Sequence, residues 1–199
     1  MISNTPILFK ITQRQYEIII RQALENLPCE SGGFLGGSDD MIKGVFPVYN
    51  QHLGDSTSTF EISSEDLERA HRFFQKHQLD YYGVYHTHPK GLPEPSLQDL
   101  KNNQRFLFII GLRNPQDPVF AAYQATGLHA ERIPIQVVDN KGVTVLDLHK
   151  GQSKLSESNI VFEAQRLQNV YEDILHERAI YPKLKPISPF DTSQFSTIA

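Results

Sequence analysis

Tyr81-Tyr82-Gly83-Val84-Tyr85-His86-Thr87-His88-Pro89, running on to Pro95-Ser96-Leu97-Gln98-Asp99, is the stretch from which the rest of the chain is read. Its first half is an apolar strand, and two histidines at i and i+2 on an extended segment share one face. Pro89 ends the strand, Lys90-Gly91-Leu92-Pro93-Glu94-Pro95 makes a rigid loop, and Ser96 opens a helix with Asp99 in its first turn. The loop can therefore bring a carboxylate back to the histidine pair. Two imidazoles and one carboxylate, with a fourth position left to water, are the ligands of a catalytic zinc site rather than a closed structural one.

Working outward toward the N-terminus, Ile7-Leu8-Phe9-Lys10-Ile11 reads as a short strand, and Thr12 with Gln15 as a capping box that opens a helix. Tyr16, Ile19, Ile20, Ala23, Leu24 and Leu27 keep helical spacing up to Pro28. In Cys29-Glu30-Ser31-Gly32-Gly33-Phe34-Leu35-Gly36-Gly37, small residues flank two apolar ones, as in a strand that another backbone or a ligand approaches closely. Gly44 to Tyr49 reads as the next strand, Asn50 to Thr59 as a surface loop, and Phe60-Glu61-Ile62 as a return to extended structure. Ser63 or Ser64 caps a second helix with Leu67, Ala70, Phe73 and Phe74 on its apolar stripe.

Beyond the Ser96 helix, Phe106 to Leu112, Val119 to Tyr123 and Arg132 to Val138 are strand-like in length and side-chain type. Strands outnumber helices, which predicts an α/β (α+β) layered domain, a mixed sheet with helices packed on it, over residues 1–138. Residues 139–180 read as an extension, with a strand over Val143 to Leu148 and a long helix from Glu157 to Arg178. Ile160, Ala164, Leu167, Tyr171 and Ile174 give that helix a stripe that suits docking on its own domain, on a twin subunit or on a partner. Residues 181–199, rich in Pro and Ser, are expected to form a flexible tail.

Composition narrows the function. The 199 residues carry a formal charge of -4, which gives no basic field to recruit nucleic acid or an anionic membrane. No apolar run approaches membrane-spanning length, and the first residues lack the order of a secretory signal. Cys29 is the single cysteine, so no intrachain disulfide forms, and a cytoplasmic location is expected.

Glu30, then His86-Thr87-His88-Pro89, then Ser96-Leu97-Gln98-Asp99 together resemble the JAMM motif of the JAB/MPN metalloprotease family, written E, H-x-H-P, S-x-x-D. The spacing from the second histidine to the aspartate agrees, and Glu30 to Gly36 and Asn50 to Ile62 resemble the prokaryotic branch. The resemblance spans roughly residues 6 to 138. It implies an MPN/JAB-type fold in which His86, His88 and Asp99 bind Zn2+ and water is the nucleophile. It further implies that Glu30 is the general base and that Ser96 donates to the oxyanion of the tetrahedral intermediate. Plainer readings stand beside these: Ser96 and Asp99 satisfy a helix cap, Glu30 follows a helix end where acidic residues are commonly solvated, and Cys29 suits a small buried filler. His52, His71, His77, His129, His149 and His176 lack a comparable context.

The resemblance implies hydrolysis of an amide or isopeptide bond at the C-terminus of a ubiquitin-like or sulfur-carrier protein. The substrate's glycine tail is expected to lie along the Asn50 to Ile62 segment. The alternatives are a non-catalytic MPN-type scaffold or binding module, against which the complete residue set argues, and a RadC-like protein.

Overall fold

Side-chain alternation, strand by strand, sorts residues 7–150, the part described by the computed structural model, onto two faces of a single sheet. The strands are β1 (Phe9–Thr12), β2 (Gly32–Ser38), β3 (Met41–Val48), β4 (Asp80–His88), β5 (Phe106–Gly111), β6 (Val119–Thr126), β7 (His129–Ile133), β8 (Ile135–Val138) and β9 (Thr144–Asp147). They lie in the order β7-β6-β5-β4-β2-β3-β1-β8-β9. β1 runs parallel to both β3 and β8, and β4 runs parallel to β5, while the remaining neighbours are antiparallel. The sheet is therefore mixed, as expected.

The expected strand over Arg132 to Val138 is in fact two. Pro134 has no N–H to give a ladder, and it separates β7, paired with β6, from β8, paired with β1. Since one residue joins the first strand of the order to the last but one, the sheet must curl back on itself. The Phe9 amide donates to the Pro134 carbonyl at 3.0 Å and ties the corner down.

Inside the curl lies α1 (Gln13–Glu25), which Thr12 caps by accepting from the Gln15 amide. Tyr16, Ile18, Ile19 and Ala23 pack there against Phe9, Leu35, Phe108, Phe120 and Ile135. The buried face is rotated from the expected stripe: Ile18 is fully buried, Leu24 is exposed, and the helix stops at Glu25, short of Leu27 and Pro28.

On the outer face α2 (Ser64–Lys76) seats Ala70, Phe73 and Phe74 on Phe34, Phe46 and Val48. A Cβ at Gly36 would stand 2.5 Å from the Phe74 ring, so this glycine is what lets the helix approach. Leu67 does not join the stripe as expected; it is exposed toward a groove, and the sheet side of α2 instead buries an Asp66–Arg69 ion pair of 2.7 Å. Phe60-Glu61-Ile62, expected to be extended, lies outside the sheet and is held by one backbone bond, Gln51 amide to Glu61 carbonyl at 2.8 Å.

The expected strand near residue 145 is β9; the expected helix over Glu157 to Arg178 and the tail lie outside the described residues. Among the described residues no helix is long and apolar enough to cross a membrane.

Candidate metal centre

The end of β4 builds the site. The β4–β2 pairing shifts register between Leu35 and Gly36, so Tyr82 is an extra residue and the alternation flips there. Tyr82 and Tyr85 consequently both pack on the inner core, while Tyr81, Val84, His86 and His88 all face outward. Between the histidines, Thr87 points inward and clips the start of β2: its hydroxyl accepts from the Ser31 amide at 2.9 Å, and its amide donates to the Ser31 carbonyl at 2.9 Å. With Gly32 opposite His86, this clip sets Glu30 beside His88.

The fourth residue arrives from α3 (Leu97–Lys101). Ser96 caps this helix in a full capping box, accepting from the Asp99 amide while the Ser96 amide donates to Asp99 Oδ2 at 2.7 Å. The capping and ligand readings of Asp99 thus coexist. Its carboxylate lies 3.1 Å from His86 Nε2 and 3.7 Å from His88 Nε2, and the two Nε2 atoms lie 3.0 Å apart. Ligands at about 2.0–2.1 Å on a tetrahedral ion stand roughly 3.3 Å from one another; the two separations from His86 Nε2, to Asp99 Oδ1 and to His88 Nε2, lie close to that, and one ligand atom from each residue lies within 4.8 Å of the others. His86, His88 and Asp99 can therefore hold a metal ion.

Tautomer and orientation fit as well. His88 Nδ1 lies 3.0 Å from the Leu92 carbonyl, which can only accept, so Nδ1 carries a proton and Nε2 is the ligand atom. The Phe60 ring lies parallel to His86, 6.3 Å between centroids and 8° between planes, and it also covers Gly32, where a Cβ would meet it at 2.7 Å.

Charge follows geometry. Burial pushes the Glu30 carboxyl above its ordinary range, against the pull of His86 and His88. Burial acts on Asp99 in the same direction, but hydrogen bonds from His86, His88 and Ser96 outweigh it and hold Asp99 well below the usual carboxylate range. His88 is pulled down by burial, yet its bonds to Asp99 and the Leu92 carbonyl raise it overall. The Ser96 hydroxyl, expected to face an oxyanion, donates its one proton to Asp99 Oδ2 at 2.7 Å.

The remaining candidates fall elsewhere. Cys29 accepts from the Ser56 hydroxyl at 3.1 Å and is not among the metal-holding group. His52 pairs with Glu61, His71 packs on Tyr81, His77 packs on Phe73, and His129 and His149 are exposed. His176 lies outside the described residues.

Asn50 has a larger part than its sequence context suggested. Its amide donates to the Thr59 carbonyl at 2.6 Å and the Glu30 carbonyl at 3.2 Å, and accepts from the amides of His52 and Glu61 at 3.0 and 3.1 Å. One side chain thereby closes the 50–61 loop and fastens it to the backbone of Glu30. An open groove of about 1360 Å³ leads from the metal-holding residues between this loop and α3, floored by Phe34, Val84 and Leu107.

A family model described as prokaryotic homologs of the JAB domain matches residues 12–125. No curated protein matches the chain. Among solved structures, a protein of Desulfitobacterium hafniense studied in solution is 24% identical with a TM-score of 0.60, covering 67% of this chain and 94% of its own. A JAB1/MPN domain protein from Archaeoglobus fulgidus is 20% identical with a TM-score of 0.43, covering 66% and 98%. A structure described as a metalloprotease-like zinc site in the proteasome and signalosome is 19% identical with a TM-score of 0.41, covering 66% and 98%.

Proposed function

Because the chain belongs to the family of prokaryotic homologs of the JAB domain, we propose that it is a zinc-dependent peptidase that hydrolyses an amide bond at the C-terminus of a ubiquitin-like or sulfur-carrier protein. The observation that carries this reading is the convergence of His86 Nε2, His88 Nε2 and the Asp99 carboxylate at the head of a groove whose lining also includes the buried carboxyl of Glu30. Zinc held there supplies a water of pKa about 7 and a Lewis acid for the scissile carbonyl.

The chain's own residues do the rest. Glu30, its proton affinity raised by burial, takes the proton of the attacking water and hands it to the leaving amine. Ser96 turns its hydroxyl from Asp99 to the developing oxyanion, a contact worth roughly 3 kcal/mol in other hydrolases. The Asn50 clip keeps the Glu30 backbone in register with the groove wall.

An extended glycine tail suits this groove. Residues 59–62 all line the groove, and the backbone groups of Thr59 and Glu61 are already bonded to Asn50 and Gln51, which leaves those of Phe60 and Ile62 for a ligand. Their main-chain groups are the ones placed to pair with a tail by strand addition. With Phe60 stacked on His86, little space is left for side chains beside the scissile bond. Phe60→Ser is expected to weaken substrate affinity about tenfold or more while leaving zinc affinity within about twofold; equal loss of both, by binding and zinc-competition titrations, counts against this groove.

The test of the whole reading is zinc per chain in protein purified without added metal, beside His88→Ala, followed by cleavage of Gly-Gly-linked fusions of ubiquitin-like proteins. Near-stoichiometric zinc that falls in the variant, with cleavage, is expected. A wild-type chain that takes up no zinc even on reconstitution rejects the peptidase and favours a binding module.

A further inference from the structure

We propose that Tyr123, on β6 and not itself lining the groove, is a positioning residue for the metal centre: through Pro93 it holds the Leu92 carbonyl that fixes the His88 tautomer. The inference rests on the zinc reading above but concerns a residue outside the motif.

Tyr123 is buried in a small apolar cluster with Leu107, Ile109 and Ala121, where a phenylalanine would fill the same space. Its hydroxyl donates to the Pro93 carbonyl at 2.7 Å, and both groups are buried. Pro93 in turn lies against Gly111, where a Cβ would meet its ring at 2.6 Å, so the loop sits tightly on the end of β5. The proline ring fixes φ, which leaves a single free torsion between the Leu92–Pro93 peptide and the Pro93 carbonyl. Once the Tyr123 hydroxyl holds the second carbonyl, the first has little freedom, and the first is the one that accepts from His88 Nδ1.

The rest of the loop does not do this work. The amides of Gly91 and Leu112 both donate to the His88 carbonyl, at 3.1 and 3.0 Å, and the Arg113 amide donates to the Gly91 carbonyl at 3.1 Å. Those bonds anchor the backbone of His88 and its neighbours but leave the imidazole free to rotate. Asp99 faces one nitrogen of the ring and the Leu92 carbonyl holds the other, and that carbonyl is oriented by Tyr123 together with the seat of the Leu92–Pro93 peptide on Gly111. Partners that orient a liganding histidine are commonly worth about 10- to 100-fold in metal affinity.

The experiment compares the full chain with Tyr123→Phe. Zinc affinity, by chelator competition, is expected to fall about tenfold in the variant. With 15N-labelled histidine, at a pH high enough for the imidazole to be neutral, His88 of the wild type is expected to be the Nδ1–H tautomer after chelation, and the variant a mixture of both. A purely structural Tyr123 would instead lower the unfolding midpoint of the chelated protein and leave the affinity and tautomer of the folded fraction unchanged; that result overturns the proposal, as does an Nε2–H tautomer in the wild type. Should Tyr123→Phe not fold, Pro93→Ala keeps the accepting carbonyl and frees its φ, and the same loosening of His88 is expected; an unchanged tautomer and affinity there overturn it. A wild-type chain that takes up no zinc sinks the peptidase reading, while the tautomer comparison still decides the role of Tyr123.

Discussion

Asp99→Ala is expected to strip the chain of zinc. Total binding energies of about 10–16 kcal/mol over four ligands give each roughly 2.5–4 kcal/mol, so losing one of three protein ligands lowers affinity about a hundred- to a thousandfold. The removed group also carries the negative charge that both histidines face. Alanine further releases the Ser96 amide and hydroxyl, and the lost half of the capping box costs α3 about 1 kcal/mol. Asp99→Asn separates the two effects, since its side-chain oxygen still accepts from Ser96 while the charge is gone. Competition titration should place both variants far below the wild type, with the asparagine variant the more stable fold. Full zinc occupancy in Asp99→Ala would mean that another residue completes the site.

Glu30→Gln is the complementary result: zinc retained, turnover reduced about 10²- to 10⁴-fold. The fold should tolerate the exchange because Glu30 is held by its backbone, its amide donating to the Ser56 carbonyl at 2.7 Å and its carbonyl accepting from Asn50. The side chain is free to act as a base and adds no ligand. A base works deprotonated, and burial raises the Glu30 carboxyl, so kcat/KM should fall on the acid side as Glu30 takes up a proton, and that acid limb should disappear in the glutamine variant. Retained turnover in folded, zinc-loaded Glu30→Gln rejects the role.

What the sequence made legible was local. Thr12, Ser63 and Ser96 cap helices where their side chains and the following apolar spacing said they would, because a cap is decided within four residues. The His86–Thr87–His88 pair and the returning carboxylate were legible for the same reason: strand alternation and one rigid loop suffice to bring them together. Features set by distant segments were not. No local signal marks Tyr82 as the extra residue that puts Tyr81 and His86 on one face, since the bulge is defined by the pairing with β2. Ile18 and Leu24 changed places because the wall of the curl, not the helix, decides which face is buried. Nothing local shows that Asp66 and Arg69 are buried as a pair, with the guanidinium 5.6 Å from the centre of the Phe46 ring. The reach of Asn50 to residues on both sides of the loop, and of Tyr123 to Pro93, appears only once the chain is folded.

The single-proline joint between β7 and β8 also governs when this domain can come into being. β8 completes the wall around α1 by pairing along β1, so the first strand of the described chain, which has β3 on one edge early, waits for nearly the last to cover the other. Until residues 135–138 have emerged from the ribosome, the apolar side of α1 has no complete enclosure, however early its cap and its turns form. Helix formation takes about a microsecond and closure of so distant a pairing far longer. The domain is therefore built to mature after synthesis has passed its whole length, and the β2–β4 framework carrying Glu30, His86 and His88 can pair earlier than the core behind it is sealed.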